Sequence, residues 1–291
     1  MKAKLLSLAL FTAGLIGPFA PTLADAAPPA ARSQAIATPD PAKQIKDLGR
    51  LFRASDVAGL VQALVPPSKW EEVRLVYELK RLEPTSEEDR AEFAEKIARF
   101  TAPTAVDDLM AEIEPKLVEA RPQAGGALLV AFGALQMAAN SPDSHLTAEQ
   151  RAALQAALPG FQYWASGTDF LSSQTLRQAL TLMTDAARRT GITDLDQLKA
   201  LPLEGVLDRA SGVLVAAKDA VRLYGLDVDA IVDSLQVEVL EIGAETARVR
   251  TTITLFDAPL WHDHDLELIE GRWYPKGSVE HFKSHHAAQV N

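Results

Sequence analysis

Cysteine is absent from the chain, and its absence removes several kinds of chemistry. Without thiols the protein can form no disulfide, can hold no metal through thiolates and can use no cysteine nucleophile. No lipid can be attached to a cysteine side chain either. The folded state must therefore draw its stability from the packing of its own core.

Positive charge is also scarce, with 29 lysines and arginines against 39 acidic residues, for a formal net charge of −10. An acidic chain with no basic patch argues against nucleic-acid partners and against anionic membrane surfaces. Beyond residue 26 no stretch is apolar enough to span a bilayer, and the apolar run at residues 126–139 has the length of a core helix. We therefore expect the partner to be another protein or a small apolar ligand.

The motifs of the common enzyme classes are missing as well. The sequence contains no nucleophile elbow, no P-loop, no H-E-x-x-H zinc motif and no dinucleotide fingerprint. Acidic clusters at residues 87–89 and 107–108 fall in predicted first helical turns, where they complement the helix dipole. We leave open whether the protein is an enzyme and favour a non-catalytic binding or envelope-associated module.

The N-terminus has the pattern of a secretory signal peptide over residues 1–26. A basic start is followed by an apolar run at residues 5–17 and by the small-residue site Ala24-Asp25-Ala26. The alternative is a retained anchor helix, but the run is shorter than the ~20 residues that a span requires. We expect cleavage after Ala26 and a periplasmic or secreted protein.

Beyond this site the chain divides into four predicted parts. Residues 27–41, rich in alanine and proline, are typical of a flexible linker. Residues 42–160 form a helical region, residues 168–276 form an α+β module, and residues 277–291 form a polar, histidine-containing tail. The predicted fold class is thus α+β, with an all-helical region followed by helices packed on a four-stranded antiparallel meander.

Local signals place several helix boundaries in this plan. Capping boxes are predicted at Ser68 with Glu71 and at Thr85 with Glu88. Pro115 is expected to kink or end a helix, and the Pro-Gly pair at 159–160 to end another. Residues 126–139 are apolar nearly all round, which predicts the central buried helix of the helical region.

The sharpest pattern in the sequence is the meander, with strands predicted at residues 235–242, 246–256, 260–269 and 272–275. Alternation of apolar and polar residues predicts one buried face and one solvated face. A turn is expected at residues 257–259 and a tight hairpin at 270–271.

A single register sorts the side chains onto these two faces. It pairs Val239 with Val249, Phe256 with Trp261, Thr251 with Leu266 and Leu268 with Trp273. The face predicted to be buried then carries Leu235, Val237, Val239, Val249, Ile253, Leu255, Leu266, Leu268 and Trp273. On the opposite face Glu238 and Glu267 flank Arg250.

Histidine is concentrated near the C-terminus. Five of the six histidines fall in the last thirty residues, namely His262, His264, His281, His285 and His286. His262 and His264 lie two apart on a predicted strand, on the side of Leu260 and Leu266, so they are the expected lining of any pocket there.

Such a pair suits Zn²⁺ or Cu²⁺, with His281 or, on a bulged strand, Asp263 as a third ligand. One ring could instead act as a general base, although Asp263 and Asp265 point to the other face. The alternative that we favour is a half-buried, hydrogen-bonded pair beside a solvated tail, so we assign no catalytic residue, metal ligand or cofactor.

The residues Ala247-Arg248-Val249-Arg250 after a turn, and Gly271-Arg272-Trp273-Tyr274 at the last hairpin, resemble the C-terminal half of nuclear transport factor 2-like (cystatin-like) domains. The resemblance covers roughly a third of the chain and implies a sheet curled around a helix into a cone. That family contains both enzymes and binding modules, so it implies no single activity. The helices before the sheet resemble those of uncharacterised secreted proteobacterial proteins.

Overall fold

The structure is a computed structural model that describes residues 39–141 and 146–278. The predicted signal peptide, nearly all of the predicted linker, and His281, His285 and His286 lie outside these residues. All of the described residues belong to one compact unit.

Within the described residues, ten helices precede a four-stranded sheet, which confirms the α+β class. The helices are α1 (Pro41–Arg53), α2 (Val57–Leu64), α3 (Pro67–Leu82), α4 (Glu87–Thr101), α5 (Ala105–Asn140), α6 (Ala148–Gly167), α7 (Ser173–Arg189), α8 (Leu195–Ala200), α9 (Leu203–Arg222) and α10 (Val228–Asp233). The strands are β1 (Gln236–Ile242), β2 (Thr246–Leu255), β3 (Ala258–Ile269) and β4 (Arg272–Pro275).

Both predicted capping boxes are wrong in position. Helix α3 begins with Pro67 after Pro66; Pro67 has no N–H to satisfy, and the N–H of Ser68 donates to Glu270 Oε2 at 2.9 Å. At α4 the reciprocal box joins Ser86 and Asp89, one residue beyond the predicted pair. The shift leaves three acidic residues in the first turn, as the helix dipole favours.

Neither Pro115 nor the Pro-Gly pair at 159–160 ends its helix, while the kink that was the alternative at Pro115 stays a prediction. Helix α5 continues through Pro115 and Pro122 to Asn140, and α6 continues through Pro159 to Gly167. A proline removes one intrahelical hydrogen bond, and tertiary packing can offset that loss. Here α5 packs on α4, α6 and α7, while α6 packs on α5 and β3.

The helical part of the core draws on both of the predicted regions. Val57 of α2 packs with Leu203 and Leu207 of α9, and Trp70 and Tyr77 of α3 lie against this cluster. Helix α9 also packs along α7. The segments predicted as a helical region and an α+β module thus share one hydrophobic cluster.

Cationic side chains satisfy the carbonyl ends of several helices. The Nζ of Lys218, on α9, donates to the carbonyls of Phe52 (3.3 Å) and Arg53 (2.8 Å) at the end of α1, and to Asp229 Oδ1 at 2.7 Å. Further examples are Arg188 on the carbonyls of Thr101 and Ala102, Arg209 on that of Thr190, and Lys199 on that of Glu83. The last carbonyls of a helix have no intrahelical donor and carry partial negative charge, so these contacts fix how neighbouring helices dock.

The sheet is a meander with strand order β1-β2-β3-β4. The predicted pairs Val239–Val249 and Leu268–Trp273 are confirmed, with an irregularity between Val239 and Glu241. The hairpin at Glu270-Gly271 is also as predicted, with positive φ at both residues.

The predicted pairing of β2 with β3 is wrong. Thr251 lies opposite His262 rather than Leu266, a slide of four residues along the strand. The turn is the two-residue pair Phe256-Asp257, with φ of 52° and 60°, and not residues 257–259. Because four is an even number, every side chain stays on its predicted face.

Helix α1 covers the apolar face of the sheet. Ile45 of α1 packs on a buried cluster that contains Val249, Leu266 and Trp273. The Gln44 amide pairs with the backbone of Trp273, accepting its N–H at 2.8 Å and donating to its carbonyl at 2.5 Å, so it occupies the free edge of β4. Trp273 is 3% exposed, which confirms it as a core residue.

Candidate functional site

The structure brings His262 and His264 together on the face of the sheet that α1 covers. His264 lies directly opposite Val249 and His262 opposite Thr251, so both rings share a face with the buried cluster, as predicted. The two ring centroids are 4.7 Å apart in an edge-to-face arrangement. His262 is exposed and His264 is half-buried.

Thr251 orients the ring of His264. Its Oγ1 is 2.8 Å from His264 Nε2 and donates to the carbonyl of His262 at 3.3 Å. The Thr251 hydroxyl has one hydrogen. If that hydrogen is donated to the carbonyl of His262, the hydroxyl oxygen accepts a hydrogen bond from Nε2–H of His264, and Nδ1 of the neutral ring then carries no proton. Burial, and then the neighbouring His262, lower the pKa of His264, so the neutral ring is favoured.

A complete metal centre is not present in the part of the chain that the structure describes. No group of three histidine, aspartate or glutamate side chains there could hold one ion. His281, the predicted third ligand, lies outside that part. Asp263, the other possible ligand, lies on the opposite face of the sheet.

That opposite face carries a charged network instead of a site. Asp263 accepts a two-pronged pair of hydrogen bonds from Arg250, at 2.7 and 3.0 Å, and a third from Arg248 at 3.2 Å. The hydrogen bond from Arg250 and the positive charge of both arginines hold the pKa of Asp263 below its usual value. Glu238 lies opposite Arg250 as predicted, but Asp263 takes the place predicted for Glu267.

The second candidate site is the end of α5, residues 122–140, which we call the α5 arm. Residues 126–139, which make up most of the arm, were predicted to be a central buried helix, and that prediction is wrong. Leu129, Val130 and Met137 are 74%, 75% and 71% exposed. Periodicity predicted an apolar helix but not what covers it, and none of residues 39–141 and 146–278 covers this side of the arm.

The arm contains no charged residue between Arg121 and its end at Asn140. A shallow groove of about 650 Å³ runs along it, lined by Val130, Gly133, Ala134, Gln136, Met137 and Asn140. No atom lies within 4 Å of where a Cβ on Gly125, Gly126 or Gly133 would stand, so small residues leave the backbone open to close approach.

Aromatic rings anchor the arm to the body of the protein. Phe132 is buried and meets Phe161 of α6 edge to face, with ring centroids 5.7 Å apart. Phe161 in turn contacts Trp164 and Phe256, at 5.8 and 5.4 Å. Near the end of the arm, Gln155 of α6 donates to the carbonyl of Ala139 at 2.8 Å. One side of the arm is therefore packed against α6, while the other side is exposed.

A smaller groove of about 300 Å³ lies between α3 and the start of α9. It is lined by Glu71, Arg74, Leu75, Glu78, Pro202, Leu203 and Glu204. Charged residues dominate its lining, and Arg74 is paired with Glu71 and Glu204 across it. Neither groove is lined by a histidine, so the expectation that His262 and His264 line a pocket stays a prediction.

No protein-family model, curated protein or solved structure matches this chain. The resemblance to nuclear transport factor 2-like domains therefore stays a prediction. The arm was not recognised as a site from the sequence, although one signal was present: a helix free of charge for five turns in a chain in which 23% of residues are charged.

Proposed function

We propose that this protein is a non-catalytic binding module that docks the α5 arm against an apolar surface of another protein. The observation that carries the proposal is the exposure of Leu129, Val130 and Met137 on the α5 arm, the part of α5 that has no charged residue. Monomeric proteins rarely leave such contiguous apolar patches in water, and large ones mark interaction sites.

A protein partner fits the arm better than a small apolar ligand does. Binding sites for small molecules bury most of the ligand's surface in a concave pocket. The groove on the arm is shallow and is lined by α5 alone, between Val130 and Asn140. A single convex helix face can instead be covered by a groove or a second helix on another protein, which contacts helix residues three and four positions apart.

A lipid surface fits less well. Helices that lie on anionic membranes combine an apolar face with lysines and arginines on the other face. The arm has neither lysine nor arginine, and the chain as a whole is acidic. Within the described residues, no helix is both long and apolar enough to cross a bilayer.

The proposal places this docking in the periplasm or outside the cell. It rests on the basic start, the apolar run and the Ala24-Asp25-Ala26 site at the N-terminus. The intact mass of the protein recovered from the periplasmic fraction should correspond to a chain that begins near Ala27. An uncleaved chain in the membrane fraction would contradict this placement.

The docking surface can be tested with a photo-crosslinking amino acid at Val130 or Met137 in cells. We expect one discrete adduct from each position and none from Glu88, an exposed position on α4. Mass spectrometry identifies the partner, which is then purified and titrated with this protein. Leu129→Glu together with Met137→Glu should weaken binding at least about 30-fold, the effect of losing a typical hot spot.

Leu79→Glu with Leu82→Glu on α3 is the matched control, because Leu79 and Leu82 are 58% and 71% exposed on a different helix. This control should bind like wild type, and both double variants should keep the wild-type urea midpoint because they change exposed residues. Equal crosslinking from Glu88, or unchanged affinity in the arm variant, would refute the proposal. An adduct of two copies of this chain would identify the partner as a second copy.

A further inference from the structure

We propose that His262 and His264 form a binding site for one divalent transition-metal cation, with Cu²⁺ preferred to Zn²⁺. The site lies on the sheet and is independent of the α5 arm. Three observations carry the proposal: the spacing of the two rings, the hydrogen bond that orients one of them, and the charges around them.

The spacing matches two imidazoles on a shared ion. A ligating nitrogen lies about 2.0–2.1 Å from such an ion, and the ring centroid lies about 1.2 Å farther away. Centroids 4.7 Å apart then correspond to an angle of about 95° at the ion. An angle near 90° is the one that tetragonal Cu²⁺ prefers, and Cu²⁺ also binds nitrogen ligands more tightly than Zn²⁺ does.

The hydrogen bond to Thr251 prepares His264 as a ligand. When Thr251 Oγ1, which is 2.8 Å from Nε2, donates its hydrogen to the carbonyl of His262, the ring carries its proton on Nε2 and presents Nδ1 as the lone pair for the ion. Metal-binding histidines commonly use their second nitrogen in this way, which fixes both the tautomer and the orientation of the ring.

The strands place no cationic side chain on the face of the pair. No lysine or arginine of the four strands shares the face of His262 and His264, since Arg248 and Arg250 point to the other side. Those two arginines are paired there with Asp263. Two side-chain ligands leave the other coordination positions to water, so the site should bind more weakly than structural zinc sites with four protein ligands.

The experiment titrates the untagged, metal-free mature protein with Cu²⁺ and, separately, with Zn²⁺ by calorimetry. We expect one equivalent of Cu²⁺ to bind, with imidazole nitrogen couplings in its electron paramagnetic resonance spectrum, and Zn²⁺ to bind the same site more weakly. His262→Ala, a change at an exposed position, should weaken Cu²⁺ binding more than tenfold. Thr251→Val should weaken it about tenfold, the usual effect of removing a partner that orients a ligand.

A variant in which His281, His285 and His286 are all alanine separates this site from the C-terminal tail. It should keep the single equivalent at wild-type affinity. The proposal is overturned if wild type binds no equivalent of Cu²⁺, if His262→Ala binds like wild type, or if the tail variant loses the equivalent.

Discussion

Replacing Gly160 with alanine should destabilise the protein, although the same change stabilises most helix interiors. Gly160 lies within α6, where alanine is intrinsically favoured by about 1 kcal/mol. A Cβ at this position, however, would stand 2.1 Å from the carbonyl oxygen of Phe256. Either α6 or the β2–β3 turn must move away.

The size of the effect follows from what that movement breaks. Overpacking of a close contact costs about 1–3 kcal/mol. Phe256 would also retreat from Phe161 and Trp164, whose rings lie 5.4 and 5.2 Å from its own, and each aromatic pair contributes about 0.5–1.5 kcal/mol beyond burial. After subtraction of the helix-propensity gain, the net loss is about 1–5 kcal/mol.

Equilibrium urea unfolding measures this loss. With a slope of about 2–3 kcal/mol/M, a mid-range loss lowers the midpoint by about 1 M. Gly212→Ala is the matched control, because Gly212 lies inside α9 and a Cβ there would meet no atom within 4 Å. That variant should be as stable as wild type or up to about 1 kcal/mol more stable. A midpoint for Gly160→Ala at or above that of wild type would refute the contact on which the reasoning rests.

Two further predictions concern charges that hold the fold together. Lys218→Met should lower the free energy of unfolding by about 2–4 kcal/mol, because it removes the buried cation that bonds two carbonyls and Asp229. The control Lys96→Met, on the exposed face of α4, should change the free energy of unfolding by less than about 0.5 kcal/mol. Equal effects of the two variants in urea unfolding would refute the capping role of Lys218. The hydrogen bond from Arg250 lowers the folded-state pKa of Asp263. The ionised Asp263 therefore stabilises the folded protein above the unfolded-state pKa of about 3.9, and this stabilisation is lost as the pH falls below that value. The stability difference between wild type and Asp263→Asn should therefore be constant from about pH 5 to 8 and shrink below about pH 4, and a difference that does not change with pH would contradict this account.

Much of the secondary structure was predictable, because the signals that determine it are local. The N-terminal caps at Asp56, Ser172 and Asp194, for example, each accept a hydrogen bond from the backbone N–H three residues farther along, so each cap is a contact within four consecutive residues. The faces of the strands follow from alternation alone. For the same reason His262 and His264 could be placed together on one side of β3 before their neighbours were known.

The β2–β3 turn could not be placed in this way. Asp257 and Pro259 are strong local turn signals for residues 257–259, whereas Phe256 at positive φ is intrinsically unfavourable. The observed turn positions the ring of Phe256 against Phe161 and Trp164. Because Gly160 has no side chain, the backbone of Phe256 can approach α6 closely there. Contacts distant in sequence thus outweigh the local preference. The partner of Arg250 changed from Glu267 to Asp263 as a direct consequence of this slide.

The sequence by itself determined which segments are helices and strands and which side chains share a face, because these properties depend on spacing along the chain. Only the tertiary structure decided the β2–β3 register, the continuation of α5 and α6 through their prolines, and the exposure of the α5 arm. The arm illustrates the physical reason. An apolar pattern of residues indicates that exposing a surface to water is unfavourable, but it does not indicate which other surface covers it. For residues 122–140 the chain's own described residues do not provide that cover, so the proposed docking surface lies on this helix.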